Sequence, residues 1–224
     1  MEQAKALVRV AGRPQVLRLV DALARLRCTC ITCAIRADLV PDVNALALEE
    51  AGPSFARVPC RTPSSLHTLE VGLAALPEGE TLATMADTVM LDADWAAIGA
   101  GTRAAFTRGA DAVLAVTPHV GETGGLYVEQ DARGRVRALH DAPVAPVRVT
   151  GGVYGLGPAA RLLAHEAVRG GSDRMRAYLR LLIERGLRVD AVEVTRIVDL
   201  DRRSDLLVAN AWLGSPGHTI PPEA

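Results

Sequence analysis

Apolar positions along the chain recur three to four residues apart in some stretches and run together in others, so helical and extended patterns take turns from end to end. Pro14 opens a predicted helix in which Val16, Val20, Leu23 and Leu26 share one stripe, and Cys28 to Ile35 follows as a buried strand. Pro41 to Ala51 reads as a helix and Phe55 to Val58 as a short strand. Ser64 to Leu76 reads as a helix with Leu66, Leu69, Leu73 and Leu76 facing inward. Thr81 to Met85 then forms a strand that runs out into Ala86-Asp87, and a helix over about Asp92 to Arg108 leads to the strand Asp111 to Thr117.

Beyond Thr117 the pattern changes. Leu126 to Glu129, the turn Asp131-Ala-Arg-Gly134 and Arg135 to Leu139 predict a hairpin, with Gly134 suited to a positive φ. Val147 to Tyr154 is a further strand, interrupted by Gly151-Gly152. Ser172 is placed to cap a helix carrying Met175, Leu179, Leu182 and Ile183, which Gly186 stops. A strand from Leu187 to Val194, the segment Ile197-Val-Asp-Leu-Asp201 and a last helix to about Leu213 complete the series. This alternation predicts an α/β fold, a mixed and mostly parallel sheet flanked by helices, in one domain over 1–213 with a loose tail over 214–224.

Composition narrows the function classes. With 224 residues, 49% hydrophobic and 23% charged, the chain is long enough for a substantial core. Its 25 Lys and Arg balance 26 Asp and Glu, a formal charge of −1 without the basic stripe that nucleic acid requires. No stretch approaches the roughly 20 apolar residues of a membrane span, and no charged-then-apolar leader pattern stands at the start. The expectation is a cytoplasmic protein with no nucleic-acid or membrane partner; its oligomeric state is open, a homo-oligomer included. Cys28, Cys30, Cys33 and Cys60 include a C-x-C-x-x-C cluster. On a strand Cys28 and Cys30 share one face and Cys33 takes the other, so the thiols read as ordinary core groups rather than a metal site.

Candidate chemistry gathers at strand ends. Asp87 follows an apolar strand, where open α/β sheets build ligand sites, and Asp199 with Asp201 occupies a second strand end. Carboxylates so placed suit a hard divalent cation such as Mg2+, which takes one or two from the protein and further oxygens from phosphates. The plainer reading of Asp199-Leu-Asp201 is the acidic first turn of the last helix. Arg61-Thr62-Pro63-Ser64-Ser65 brings hydroxyls and backbone N–H groups to a helix start, fit for a phosphate or a simple N-cap. Thr150-Gly151-Gly152 allows either close approach of a ligand or a bulge. Arg174 and Arg176, near a helix start, can meet an anion or face solvent. His67, His119, His140, His165 and His218 share no ligand spacing.

In order along the chain these pieces resemble the nucleotidyltransferase family that makes nucleotide sugars, a bacterial subgroup of sugar-phosphate nucleotidyltransferases above all. Lys5-Ala-Leu-Val-Arg-Val-Ala-Gly-Arg-Pro14 is similar to the P-K-x-L-v-x-v-x-G-x-P stretch, with Ala4 in place of its proline. Thr62-Pro-Ser-Ser-Leu-His-Thr68 resembles T-P-S-S-x-H-S, and Thr84-Met-Ala-Asp-Thr88 a T-x-x-D-T metal segment. Gly125-Leu-Tyr-Val128, Thr150-Gly-Gly-Val-Tyr154, Ser172-Asp-Arg-Met-Arg176 and Ile197-Val-Asp-Leu-Asp201 match later family segments.

The resemblance implies a Rossmann-like fold of the glycosyltransferase-A type. It also implies transfer of a nucleotidyl group from a nucleoside triphosphate to a sugar phosphate or similar phosphorylated alcohol, with pyrophosphate released. Mg2+ would be held by Asp87, Asp199 and Asp201, with Lys5 offsetting phosphate charge. Thr62, Ser64, Ser65, Thr68, Thr150, Gly151, Gly152, Arg174 and Arg176 would line the substrate side. The family pattern opens with a central strand and a phosphate-cradling loop, A-G-G-x-G-x-R, and neither stands before Lys5 in this sequence. The expectation is therefore that DNA upstream of Met1 encodes them in frame, that residues 1–224 alone do not turn over, and that they are badly destabilised unless Ala6 to Val10 moves in to fill part of the gap. A non-catalytic homologue that binds a nucleotide or sugar phosphate is the competing reading. A metal-dependent glycosyltransferase using Asp199-Leu-Asp201 is a weaker third.

Overall fold

The computed structural model describes residues 4–46, 54–120 and 125–214. After a 3-10 turn over Lys5–Leu7, a short hairpin pairs β1 (Arg9–Val10) with β2 (Arg13–Pro14) and leads into α1 (Gln15–Arg25). Ala11 and Gly12, both at positive φ (48° and 79°), make the tight turn, and the Ala11 N–H is held by Asn210 Oδ1 at 2.7 Å. Next come β3 (Cys30–Arg36), α2 (Val40–Asn44), β4 (Ser54–Cys60), α3 (Ser65–Ala74), β5 (Thr81–Thr84), β6 (Thr88–Val89), α4 (Asp92–Thr107) and β7 (Ala112–Thr117). The hairpin of β8 (Leu126–Gln130) and β9 (Val136–His140), then β10 (Val149–Leu156), α5 (Pro158–Arg169), α6 (Met175–Glu184), β11 (Val189–Glu193), β12 (Val198–Asp199) and α7 (Arg203–Gly214) complete the order.

Strands β11, β7, β10, β8 and β9 lie side by side, with β5 also on β10, in one six-stranded sheet. All six residues of β7 are buried, which explains its unbroken apolar run: both faces are covered. Leu114, Val116, Tyr154 and Leu156 face Leu66, Leu163, Tyr178 and Leu182 from α3, α5 and α6. Ala115 and Val153 face Leu19, Trp95 and Ile98 from α1 and α4 on the other side. The result is a mixed sheet between two layers of helices. A third apolar cluster joins Val8 and Val10 to Val89, Val198, Leu200 and Trp212 and seats α7 against the β6–β12 ribbon.

Among the described residues parallel pairing is confined to β3 with β4 and β7 with β11; β10 runs antiparallel to β5, β7 and β8. The expected mostly parallel sheet gives way here because β8, β9 and β10 follow one another without a crossover helix, and short connections reverse the chain. Helix α5 was not read from the sequence, although Pro158 at its first turn and Ala160, Leu163, Ala164 and Ala167 at helical spacing signal it. Ser172 does not cap α6. Its N–H closes the end of α5 on Ala167 O at 2.9 Å, with Gly171 at φ 85°, while Arg174 precedes α6 without a side-chain cap. Gly186 and Gly134, both at φ 77°, stand where the sequence placed them. Part of the expected helix Pro41 to Ala51, together with His218 and the tail beyond residue 214, lies outside the described residues.

Strands β3 and β4 form a two-stranded sheet of their own. The stretch Ala6 to Val10 does not bridge it to β5, since Arg9 and Val10 pair with Arg13 and Pro14 instead.

Candidate functional site

Two chain segments far apart in sequence are brought together by a two-residue ribbon. Strand β6 pairs antiparallel with β12 so that Thr88 stands opposite Asp199 and Val89 opposite Val198, and Leu200 N donates to Asp87 O at 3.1 Å. Asp87 thus meets Asp199 and Asp201 at the far end of β5. Buried Gln15, at the start of α1, donates from Nε2 to Thr88 O at 2.6 Å and fixes the ribbon to that helix. Asp205 Oδ2 accepts from the N–H groups of Asp201 and Arg202 at 3.0 and 2.6 Å, so the loop carrying Asp201 is tied to the first turn of α7.

Lys5 joins this cluster. Its Nζ lies 2.6 Å from Asp87 Oδ2 and 2.5 Å from Asp201 Oδ1, with side chains 40%, 13% and 54% exposed in the order Lys5, Asp87, Asp201. Partial burial works against the ammonium charge, but hydrogen bonds to Asp201 and Asp87 outweigh it and raise Lys5 above the ordinary lysine range. Thr88 Oγ1 donates to Asp199 Oδ1 at 3.4 Å. The Asp199 residue still reaches solvent, yet the protein packed around its carboxyl strips water from it. That desolvation and the charges of Asp87 and Asp201 push its carboxyl up to about 6. Buried Tyr154 is raised as well, by burial and then by Asp199 and Asp87, while Arg176 acts in the opposite sense. Tyr154 and Arg176 therefore share the field of the carboxylates.

The other sequence-derived candidates divide. Ser64 caps α3 in extended backbone, its Oγ 3.5 Å from His67 N and 2.9 Å from His67 Nδ1. Thr68 Oγ1 donates to Ser64 O at 3.1 Å and lies 2.5 Å from Thr62 Oγ1. These hydroxyls are engaged with one another, as a helix cap requires, and only Ser65 and Thr68 of the segment border the large cavity beside β5. Among the described residues no hydrogen bond or ion pair joins them to Lys5, Asp87, Asp199 or Asp201. Thr150 Oγ1 donates to Gly151 O at 3.2 Å, and the β10–β7 register shifts between Thr150 and Tyr154, so a bulge is present. A side chain at Gly152 would meet Met85 Cγ and Thr88 Oγ1 at 2.6 Å, and the space beside Gly151 is taken by Ile197. Close packing by Ile197 on Gly151 and by Met85 and Thr88 on Gly152 is enough to require both glycines. Arg174 is exposed, 3.8 Å from Asp173, and Arg176 lies 3.6 Å from Asp141.

Among the described residues no three His, Cys, Asp or Glu side chains form a ready metal-binding set. All four cysteines are free and half-buried rather than fully buried, and burial pushes Cys28, Cys33 and Cys60 up. Sequence reasoning missed Gln15, Thr88 and Tyr154 as parts of the site. A glutamine opening an apolar helix stripe was the one available signal for Gln15; Thr88 and Tyr154 stood at the ends of quoted segments without a role. No helix among the described residues is long and apolar enough to cross a membrane.

Solved structures share this architecture. A protein of Bacillus anthracis assigned as a glucose-1-phosphate thymidylyltransferase, solved with sucrose, superposes with a TM-score of 0.76 at 17% identity, over 92% of this chain and 85% of that one. A UDP-glucose pyrophosphorylase complexed with UDP-glucose gives 0.74 at 13% identity, over 92% and 89%. The inositol-1-phosphate CTP transferase of T. maritima gives 0.72 at 13% identity, over 91% and 83%. At these identities the likeness establishes the fold. No curated protein matches in sequence. A family model does, the MobA-like NTP transferase domain, over residues 1–184, and the chain belongs to that family.

Proposed function

We propose that this protein is built to transfer a nucleotidyl group from a nucleoside triphosphate to a sugar phosphate or similar phosphorylated alcohol, releasing pyrophosphate. The observation that carries this reading is the Lys5 ammonium held between Asp87 and Asp201 beside Asp199, at the end of a sheet strand. Two carboxylates converging on a cation at 2.5 to 2.6 Å define a point where positive charge is stabilised, and a third, raised carboxyl stands next to it. That donor set suits Mg2+, which takes one or two carboxylates and completes its shell with phosphate oxygens and water.

Bound there by Asp87 and Asp199, with Asp201 reaching it directly or through water, the ion would offset charge on the phosphates as the acceptor oxygen attacks the α-phosphorus. Lys5, released from Asp87 and Asp201, would pair with the same phosphates. Asp205 and Gln15 hold the two carboxylate-bearing segments in place, so the contribution of the chain is positioning and charge. Thr62, Ser64, Ser65, Thr68, Thr150, Arg174 and Arg176 belong to the acceptor side in this reading. Solved structures of the same fold named for UDP-glucose and glucose-1-phosphate support the substrate class.

A second reading, binding without catalysis, is favoured by the pairing of Lys5 with both Asp87 and Asp201, which holds an ammonium at the place the ion would take. One experiment separates the two. Pyrophosphate release is measured over the common nucleoside triphosphates and a panel of sugar phosphates, for residues 1–224 and for a form with a β-strand and glycine-rich loop fused ahead of Met1. Turnover by the fused form supports transfer. Nucleotide binding with no turnover in either form, under any pairing, assigns the binding role.

A further inference from the structure

Lys5 is the only lysine among the 25 Lys and Arg residues of the sequence, and it stands where two carboxylates converge. Its Nζ donates to Asp87 Oδ2 at 2.6 Å and to Asp201 Oδ1 at 2.5 Å. The other ion pairs among the described residues use arginine or histidine. A guanidinium is a flat fork that suits one carboxylate edge-on, whereas an ammonium is a compact point charge whose three donors serve oxygens arriving from different directions. Compact charge among oxygens is also what a hard divalent ion brings.

Contacts that Lys5 does not supply hold the two carboxylate-bearing segments. Asp201 N and Arg202 N donate to Asp205 Oδ2 at 3.0 and 2.6 Å, and Leu200 N donates to Asp87 O at 3.1 Å. The Asp87 side chain is 13% exposed, so little water is at hand to replace a lost partner. Lys5 is the movable member. It lies on a single 3-10 turn, its side chain is 40% exposed, and its charge rides on a flexible stem.

We infer that Lys5 is an internal counter-ion that holds Asp87 and Asp201 until a phosphate-bearing ligand draws it away, so that divalent ion and phosphate enter the site together. The inference rests on the assignment of these carboxylates to Mg2+ proposed above, and adds the order in which the partners arrive. An ion arriving alone must evict the ammonium and leave two cations side by side. A phosphate arriving with the ion gives the evicted ammonium an anionic partner, while the carboxylates exchange one cation for another. Each ligand therefore favours the binding of the other, and the coupling is reciprocal.

The test reads the ion without any reaction. Mg2+ binding to residues 1–224 is measured by calorimetry in phosphate-free buffer, for the parent and for Lys5→Met, which keeps an unbranched stem and removes the charge. A competitor that fills the site nine-tenths of the time lowers apparent affinity about tenfold, so Lys5→Met should bind Mg2+ at least about tenfold more tightly. Adding Asp87→Ala to Lys5→Met should abolish that gain. A second measurement needs no variant. Isotope-labelled lysine supplied during expression gives one ε-CH2 signal, because the sequence has one lysine. Inorganic pyrophosphate with Mg2+ should shift that signal at a Mg2+ concentration that alone leaves it unmoved. Equal Mg2+ affinity of parent and Lys5→Met would overturn the inference and leave the ion at the carboxylates, as would a lysine signal that Mg2+ shifts alike with and without pyrophosphate. A gain that survives Asp87→Ala would place the ion elsewhere and overturn it too. Absence of Mg2+ binding in both forms, with folding intact by circular dichroism, would overturn it together with the transfer reading.

Discussion

The two halves of this molecule are built from similar elements and finished to different degrees. Around β7 and β10 the sheet is paired on both sides, covered by helices on both faces, and filled by fully buried Leu114, Leu156, Tyr178 and Leu182. Around β3 and β4 the same α/β plan leaves, among the described residues, a strand pair detached from the main sheet, and the helices α1 and α3 face a cavity of about 640 Å³. The carboxylate cluster hangs on the boundary, because β5 belongs to the filled half by its pairing with β10 and to the open half by its free edge. Completing the sheet and completing the site are therefore coupled questions, and the boundary strand is where each can be probed.

Core truncation should expose the contrast most strongly. Leu156→Ala, in the filled half and fully buried, should cost about 3–5 kcal/mol in urea unfolding. Leu82→Ala, opposite Gly155 in the register but only partly buried at the cavity, should cost about 1–2 kcal/mol. A Leu82→Ala cost that equals that of Leu156→Ala would erase the distinction between the halves.

Chemistry at the boundary comes next in size. In the form that carries a fused strand and glycine loop, Asp87→Ala should lower Mg2+-dependent pyrophosphate release by about 10² or more, since the ion and Lys5 both lose a carboxylate partner. Asp201→Ala, removing a more exposed ligand of Lys5, should cost less. Near-normal turnover of Asp87→Ala would remove this cluster from the reaction.

Arg161 is the tie between the halves. From α5 its guanidinium donates to the carbonyls of Leu73, Leu76, Pro77 and Gly79, at 2.6 to 3.3 Å, and to Thr81 Oγ1 at 3.1 Å. It thereby holds the α3–β5 connection that borders the cavity. Arg161→Lys cannot reproduce the fork and should destabilise the fold by about 1–3 kcal/mol, with faster exchange in Thr81–Thr84 as the local sign. Uniform exchange across the sheet in that variant would mean that the connection needs no such clamp.

The sequence was legible where one element sufficed. The buried run of β7, the helix start at Ser64, the turn at Gly134 and the stop at Gly186 each follow from residues next to one another. Asp87, Asp199 and Asp201 were found because strand ends announce themselves in an α/β pattern. What could not be read was the pairing that joins them: the β6–β12 ribbon is two residues long on each side, too short for periodicity, and Gln15 and Asp205 act across dozens of residues or through backbone N–H groups. Gly151 and Gly152 stayed ambiguous for the same reason, since the neighbours that crowd them, Ile197, Met85 and Thr88, come from other elements. The antiparallel setting of β10 likewise depends on connections rather than on the strand's own residues.

The smallest effect concerns pH, and Asp199 sets its sign. Desolvation and the charges of Asp87 and Asp201 lift its carboxyl from 3.8 to about 6, so between those values the folded chain holds a proton that the unfolded chain has released. Without metal, stability from this group is present below about pH 4 and is lost as pH rises through 6, and urea midpoints should drift downward across that window. Binding of Mg2+ runs the other way, because it needs the carboxylate. Affinity should be level above pH 6 and fall by up to about tenfold between pH 6 and pH 5, since each unit below the pKa removes that share of the ionised form. Asp199→Asn should flatten the stability drift and leave weak Mg2+ binding with little pH dependence. If wild-type Mg2+ affinity stays level down to pH 5, Asp199 is not among the ligands, and the ion is held by Asp87 and Asp201 at the place Lys5 now takes.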